Sequence, residues 1–320
     1  MRPLGRTGLM VSRLGLGMAA LGRPGYINLS HGEDLRHNYD ADAMKAHAYQ
    51  VLDVAWANGI RYFDVARSYG RAEEFLAGWL SSRAIEPDQV VVGSKWGYIY
   101  TADWRIDAEK HEVKDHSRSV FERQLAESRA WLGSHLDLYQ IHSATLESGV
   151  LDNAEVLDAL RRLKSQGVRV GLSLSGPRQA ATLSRALELS VFDCVQATWN
   201  LLEPSVGPAL AEAHAAGLGV IVKEALANGR LTERNTEPES AEKIRRLRQI
   251  AECSGVGVDA VALAAVLRQP WADVVLSGAA TPMQLVSNVK ALPIEVPVAL
   301  DEFAEPAELY WAKRSALPWN

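Results

Sequence analysis

Residues Phe63–Gly70 read FDVARSYG. A short apolar run containing Ile60, Tyr62 and Phe63 ends here in an aspartate, and a tyrosine follows five residues later. A carboxylate at the end of a buried strand is costly unless something pairs with it. Asp64 therefore asks for a partner, and Tyr69 is close enough in sequence to share it.

Working outward, short apolar runs alternate with amphipathic stretches. Strands are expected at Leu14–Met18, Tyr62–Asp64, Val90–Ser94, Leu138–Ile141, Val168–Leu172, Phe192–Gln196, Val220–Val222 and Val274–Leu276. Helices are expected at Asp42–Asn58, Ser117–Leu132, Ala154–Gln166 and Ser205–Ala216, each followed directly by a glycine. Glycine stops a helix cheaply because it tolerates the left-handed conformation. Strands separated by helices imply parallel pairing through crossovers. Eight such units in 320 residues predict an α/β fold, a (β/α)8 TIM barrel forming one domain over residues 1–320. A short N-terminal β-hairpin, turning at Gly5-Arg6-Thr7-Gly8, precedes the first barrel strand. An open doubly wound sheet is the alternative. The polar residues decide between them: Asp64, Lys95, His142, Ser173, Gln196, Lys223 and Ser277 each stand at the end of an apolar run. In a barrel those ends converge on one rim, where the active site lies.

Composition narrows the function. The net charge of −5 and pI of about 5.9 argue against a polyanion partner, so no nucleic acid is expected. Cys194 and Cys253 lie far apart and form no CxxC, so neither a disulfide framework nor a zinc site is signalled. No apolar run approaches the ~18 residues that span a bilayer. The opening stretch is broken by Gly5, Gly8, Gly15 and Gly17, unlike the continuous core of a signal peptide. A cytoplasmic protein without a membrane partner is expected. Gly15-Leu16-Gly17-Met18-Ala19-Ala20 fits the relaxed dinucleotide fingerprint, but no helix is expected until about Asp42, so a barrel strand is the better reading. Gly278 precedes Thr281 and Pro282, an N-cap and first-turn pair opening a helix that ends near Leu292. Such a helix start can hold a phosphate.

Asp64, Tyr69, Lys95 and His142 come from three successive strand ends. A tyrosine near pKa 10 donates its proton poorly at neutral pH, and a neighbouring ammonium eases it. A buried lysine needs a carboxylate, and a histidine can orient a carbonyl oxygen. Singly these residues also read as an ion pair, a rim aromatic and a core histidine. Together they form an acid–base unit for carbonyl chemistry.

With these residues in place, the chain resembles the aldo-keto reductase family. The likeness runs from LGRTGLMVSRLGLG near the start to SGAATPMQLVSN near the end, and is sharpest in FDVARSYG, SKWG (Ser94–Gly97) and LDLYQIHS (Leu136–Ser143). The resemblance implies a barrel with an extended nicotinamide cofactor and no metal. It implies that Tyr69 is the general acid or base, Lys95 lowers its pKa, Asp64 holds Lys95, and His142 orients the carbonyl. Cofactor contacts are implied for Ser173, Gln196, Lys223, Leu226, Ser277, Gly278, Ala279, Gln284 and Asn288. Three departures stand out. Leu174 replaces the usual asparagine after Ser173, and Lys223-Glu224 stands where many members stack a tyrosine. Gly278, Ala279 and Gln284 replace the Lys-Ser and Arg that clamp the 2′-phosphate of NADP. Each lost charge-assisted hydrogen bond is worth ~1.5–3 kcal/mol. The cofactor is NADP or NAD, with the missing clamp leaning toward NAD.

Pocket walls are expected from the loops Gly22–Asp40, Trp96–His116 and Asn228–Glu239. Trp96 and Trp104 are the leading substrate contacts, with Tyr98 and Tyr100 between them, and Trp311 or Trp319 could form a lid. The expected function is an NAD(P)-dependent oxidoreductase interconverting an aldehyde, ketone or sugar and its alcohol. The alternatives are a cofactor-binding redox-sensing subunit with little turnover and a barrel of unrelated lysine chemistry.

Overall fold

The structure, a computed structural model, describes residues 1–295 and 302–320. Strands β1 (Arg2–Pro3) and β2 (Met10–Val11) form the antiparallel hairpin. The barrel consists of β3 (Leu14–Gly17), β4 (Tyr62–Asp64), β5 (Val91–Trp96), β8 (Leu136–Ala144), β9 (Arg169–Leu174), β10 (Cys194–Thr198), β11 (Gly219–Lys223) and β12 (Val274–Ser277). These strands pair in chain order, in parallel, and β12 closes on β3. Strands β6 (Tyr98–Tyr100) and β7 (Glu112–Lys114) form an antiparallel side hairpin in the long loop after β5. The open sheet is thereby excluded. A short helix, His31–Asp34, stands in the loop after β3, earlier than the helix expected at Asp42.

Local sequence explains the outer layer. In helix Ala154–Ser165 the Asn153 side chain accepts from Val156 N, and Val156, Leu157, Leu160 and Leu163 form the buried stripe. That spacing of three and four residues places them on one face, against the barrel.

The interior alternates large and small residues. Tyr62, Leu138, Cys194 and Val274 come from alternate strands and join Leu4 and Val11 of the hairpin in a cluster plugging the floor. Intervening strands place glycines beside them. A side chain at Gly93 would meet the Tyr62 hydroxyl at 2.5 Å, and one at Gly171 would meet Gln140 at 3.1 Å. Layers of four from alternate strands are how such barrels fill. Because strand side chains alternate faces, the next inward positions of β4, β5, β10 and β11 are Asp64, Lys95, Gln196 and Lys223. The packing rule that fills the floor thus delivers the polar rim.

The floor is tied down by Asp273. Its Oδ2 accepts from Val220 N at 3.0 Å and Gly5 N at 3.2 Å, while Oδ1 lies 3.1 Å from Arg2. Asp273→Ala would strand both amides and loosen the hairpin. We expect a loss of about 2–4 kcal/mol, seen as a lower urea midpoint with an unchanged m-value.

Candidate active site

Lys95 is fully buried and forms an ion pair with Asp64 Oδ1, itself only 2% exposed. The ammonium also donates to Val65 O at 3.0 Å and lies 3.4 Å from the Tyr69 hydroxyl. The second Asp64 oxygen accepts from Gln196 Nε2 at 2.8 Å. The His142 ring meets the Tyr69 ring edge-on, with centroids 5.5 Å apart. The four residues expected to act together are therefore brought together. Burial, with Lys95, Arg23 and Lys223 nearby, pushes the His142 pKa well below the usual histidine range, so the ring is neutral. A neutral imidazole can both donate and accept. Tyr69 departs from expectation in direction. Burial and the Asp64 carboxylate push its phenol well above 10, and Arg23 pulls it back down. In this structure Tyr69 is a proton-bearing phenol.

Asp64, Tyr69 and His142 line one end of a cavity of about 560 Å³, with Lys95 buried behind them. Around that end stand Arg23, Tyr98, Glu112 and Trp319. Trp319 stacks on His111 at 4.1 Å and lies beneath the Arg23 guanidinium at 4.7 Å. The segment ending in Asn320 pairs with Tyr26 through both backbone hydrogen bonds, at 3.1 and 3.2 Å. Asn320 Oδ1 accepts from His31 N at 2.7 Å. The Trp319 wall is therefore anchored to the loop after β3.

The cavity's middle passes Lys223, Glu224 and Leu226. Lys223 Nζ donates to Thr198 Oγ1 at 2.6 Å and lies 3.7 Å from Glu224, which Arg314 holds at 2.6 Å. Burial lowers the Lys223 pKa to about 8. Burial alone would raise the Glu224 carboxyl, but Arg314 and Lys223 outweigh it and bring it to about 2. Lys223 is thus paired with an acidic neighbour.

At the far end the cavity reaches Ser277, Gly278, Ala279, Gln284 and Asn288. The helix Pro282–Val289 opens with a capping box: Gln284 N donates to Thr281 Oγ1, and Gln284 Oε1 accepts from Ala280 N at 2.8 Å and Thr281 N at 3.3 Å. Those amides are spent on the helix's own cap. Gln284 Nε2 donates to Asp34 at 2.8 Å, and Asp34 also pairs with Arg234 at 2.5 Å. In the orientation that satisfies its amide, Asn288 donates to Asp259 at 2.7 Å and accepts from Ser277 Oγ at 2.8 Å.

Several expectations need correction. Trp96 does not line the cavity; it is buried against Phe121 and His116, on the helix side of the barrel. Trp104 packs edge-on against Phe75, and its ring N–H donates to Tyr39 O at 2.6 Å, also away from the cavity. Tyr98 does line it. Ser173 is fully buried behind the wall, its Oγ accepting from Ser143 N at 2.8 Å, while Ser175 reaches the cavity. Of the two candidate lid tryptophans, Trp319 reaches the cavity and Trp311 is buried in a separate cluster. Arg23, Asp34 and Glu112 were not singled out from sequence. All three lie in loops marked as pocket walls, and their charge was their only signal.

The cavity's length, with an acid–base cluster at one end and a capped helix at the other, suits an extended dinucleotide. Comparison with known proteins agrees. The aldo/keto reductase family model matches residues 13–309. A pyridoxal 4-dehydrogenase from Microbacterium luteolum is 27% identical, with 94% of each chain covered. A D-threo-aldose 1-dehydrogenase from a Pseudomonas species is 26% identical, covering 82% of this chain and 87% of its own. An aldo-keto reductase from Bacillus halodurans in its holo form superposes with a TM-score of 0.71 at 21% identity, over 98% of this chain and 95% of that one, and so shares the fold. With the family model spanning nearly the whole chain and the barrel closed around this site, the chain belongs to the aldo-keto reductase family of NAD(P)-dependent oxidoreductases acting on carbonyl and alcohol groups.

Proposed function

We propose that the chain interconverts an oxygen-rich aldehyde or sugar with its oxidised or reduced partner, using NAD in preference to NADP and Tyr69 as the proton donor or acceptor. The observation that carries this reading is the convergence of Tyr69, Lys95, Asp64 and His142 at one end of an elongated cavity. A bound nicotinamide supplies or takes the hydride. Tyr69 gives a proton to the carbonyl oxygen in reduction and takes it back in oxidation. Lys95, 3.4 Å from the phenol oxygen, stabilises the phenolate left behind. Asp64 and Gln196 fix Lys95, and neutral His142 holds the carbonyl oxygen in line. Leu226, Gly278 and Ala279 line the wall along which the cofactor would lie.

The substrate end supports a polar compound. Arg23 and Glu112 offer a donor and an acceptor within one ion pair of 2.8 Å. Two relatives carry names that denote oxygen-rich aldehydes. The far end supports NAD. A 2′-phosphate brings a charge near −2 and needs cations. Gln284 stands there instead, bonded to Asp34, and the nearby Arg234 is already engaged by Asp34. A ribose diol, by contrast, donates readily to a carboxylate.

Tyr69→Phe should lower kcat about 10²–10⁴-fold while leaving NADH binding intact, as followed by tryptophan quenching. Retained turnover would refute the assigned role. NADH should bind more tightly than NADPH, and the pair Asp34→Ser with Gln284→Arg should narrow or reverse that ratio. A wild type that favours NADPH would show that Arg234 serves as the clamp. Removing Leu317–Asn320 should raise KM for the carbonyl substrate several-fold with little change in NADH affinity; unchanged KM would mean that Trp319 shapes no part of the pocket.

A further inference from the structure

The loop after β3 runs unusually close to the turn that carries Tyr69. Gly22 packs so tightly that a Cβ there would lie 2.3 Å from Tyr69 O and 2.5 Å from the Ala72 Cβ. Gly70, at φ +59°, interlocks from the other side: a Cβ on it would lie 2.5 Å from Gly22 O and 2.9 Å from the Arg23 Cβ. Arg71 N donates to Gly22 O at 2.7 Å and locks the two segments. Only glycines permit this approach, and its result is that Arg23 is set directly on the catalytic tyrosine.

Arg23 is 3% exposed, yet it borders the cavity. Its guanidinium carbon lies 5.3 Å from the Tyr69 ring centroid, 5.4 Å from that of Tyr26 and 4.7 Å from that of Trp319. Nη1 donates to Ser68 O and Glu112 Oε2, both at 2.8 Å, while Nε is buried without an acceptor among the described residues. A guanidinium does not lose its charge in a protein. Burying one with an unmet donor is costly. A mere loop anchor would not need to face a phenol.

We infer that Arg23 is a positioning residue of the acid–base unit: its fixed positive charge, held against Tyr69 by the Gly22–Gly70 interlock, joins Lys95 in stabilising the phenolate. Lys95 cannot do this alone, because it comes bound to Asp64, whose carboxylate opposes phenol ionisation. The groups facing the phenol are Asp64 on β4, Lys95 on β5, Glu112 on β7, His142 on β8, Glu224 after β11, and Arg23 and Tyr26 in the loop after β3. Asp64, Glu112 and Glu224 favour the neutral phenol, and Arg23 opposes them. Glu112 is 22% exposed and so partly screened by water, whereas Arg23 is not. The net effect of the Arg23–Glu112 pair on Tyr69 is therefore that of a cation. This inference rests on the proposed role of Tyr69 and assigns a second cation to it.

The test places 3,5-difluorotyrosine at position 69 of the full chain. Its electron-poor phenol ionises well below that of tyrosine. Its titration is read by fluorine NMR without cofactor or substrate. Arg23→Gln should move the titration up by about one pH unit, and Arg23→Lys should restore most of the shift. Glu112→Gln should move it down, which keeps the test alive if Arg23→Gln fails to fold. A titration that stays put in Arg23→Gln, or that rises in Glu112→Gln, overturns the inference. In the tyrosine enzyme, the alkaline limb of aldehyde reduction with NADH should follow the same order. If the fluorine titration moves but the limb does not, Arg23 acts on Tyr69 as inferred and the proposed role of Tyr69 as proton donor is what fails.

Discussion

The ion pair between Lys95 and Asp64 is the constraint on which the site depends. Both groups are removed from water, at a cost of several kcal/mol each that only good geometry repays. The repayment is visible around them. Lys95 has Asp64 and Val65 O and faces Tyr69, and the remaining Asp64 oxygen takes the Gln196 amide. Those partners come from β4, β5, β10 and the turn after β4. None of them would meet if one strand slipped by a residue, since a slip turns every inward side chain outward. The glycines of the lower layer and the hairpin plug keep the register that the pair requires. Fold and chemistry are held by the same alternation.

That alternation explains what could be read from sequence. The strands, their order and the four central residues were legible because each rests on local period and position. Trp96 was also legible and was misread. It directly follows inward-facing Lys95 on β5, so it had to point outward to the helix layer, where Phe121 receives it. Ser173 failed for a subtler reason. The pairing of β8 with β9 shifts between Ile141 and Ala144, and Ser143 takes a positive φ of 53°. The bulge leaves the Ser143 amide without a ladder partner, and Ser173 Oγ accepts from it. A register shift of this kind leaves no trace in residue types. Trp104, Arg23, Asp34 and Glu112 sit on loops, where no period applies and long-range partners decide the direction of each side chain.

Charge changes along the cavity in a way that suits its two ends to different tasks. At the end that holds Tyr69, two cations, Arg23 and Lys95, both lie against its ring. In the middle, Lys223, Glu224 and Arg314 form a half-buried chain of alternating sign. Toward the helix Pro282–Val289, Asp34 and Asp259 border the space, and Arg234, which also borders it, is bound to Asp34. Positive charge near a forming phenolate speeds proton release, while carboxylates near a ribose favour hydroxyl donors over phosphate. One cavity can favour both because the two ends are separated by its length.

The segment Ala307–Asn320 joins these parts. Its helix packs Tyr310 and Trp311 beside the helices Ala241–Ser254 and Val258–Leu267. From that base Arg314 reaches Glu224, Trp319 reaches Arg23 and His111, and Asn320 reaches Tyr26 and His31. One segment therefore touches the loops after β3, β5 and β11, each of which contributes to the pocket wall. The barrel supplies Asp64, Lys95 and His142, whose placement the strand period dictates. The pocket's shape instead depends on contacts among loops and this segment, each made by side chains far apart in sequence. Changes in Ala307–Asn320 can thus alter which carbonyl compound fits without disturbing Asp64, Tyr69, Lys95 or His142. Arg23 is the exception that links the two levels, since it belongs to a pocket loop, supports Trp319 and presses on the tyrosine. Through it, a change in pocket shape can reach the acid–base chemistry.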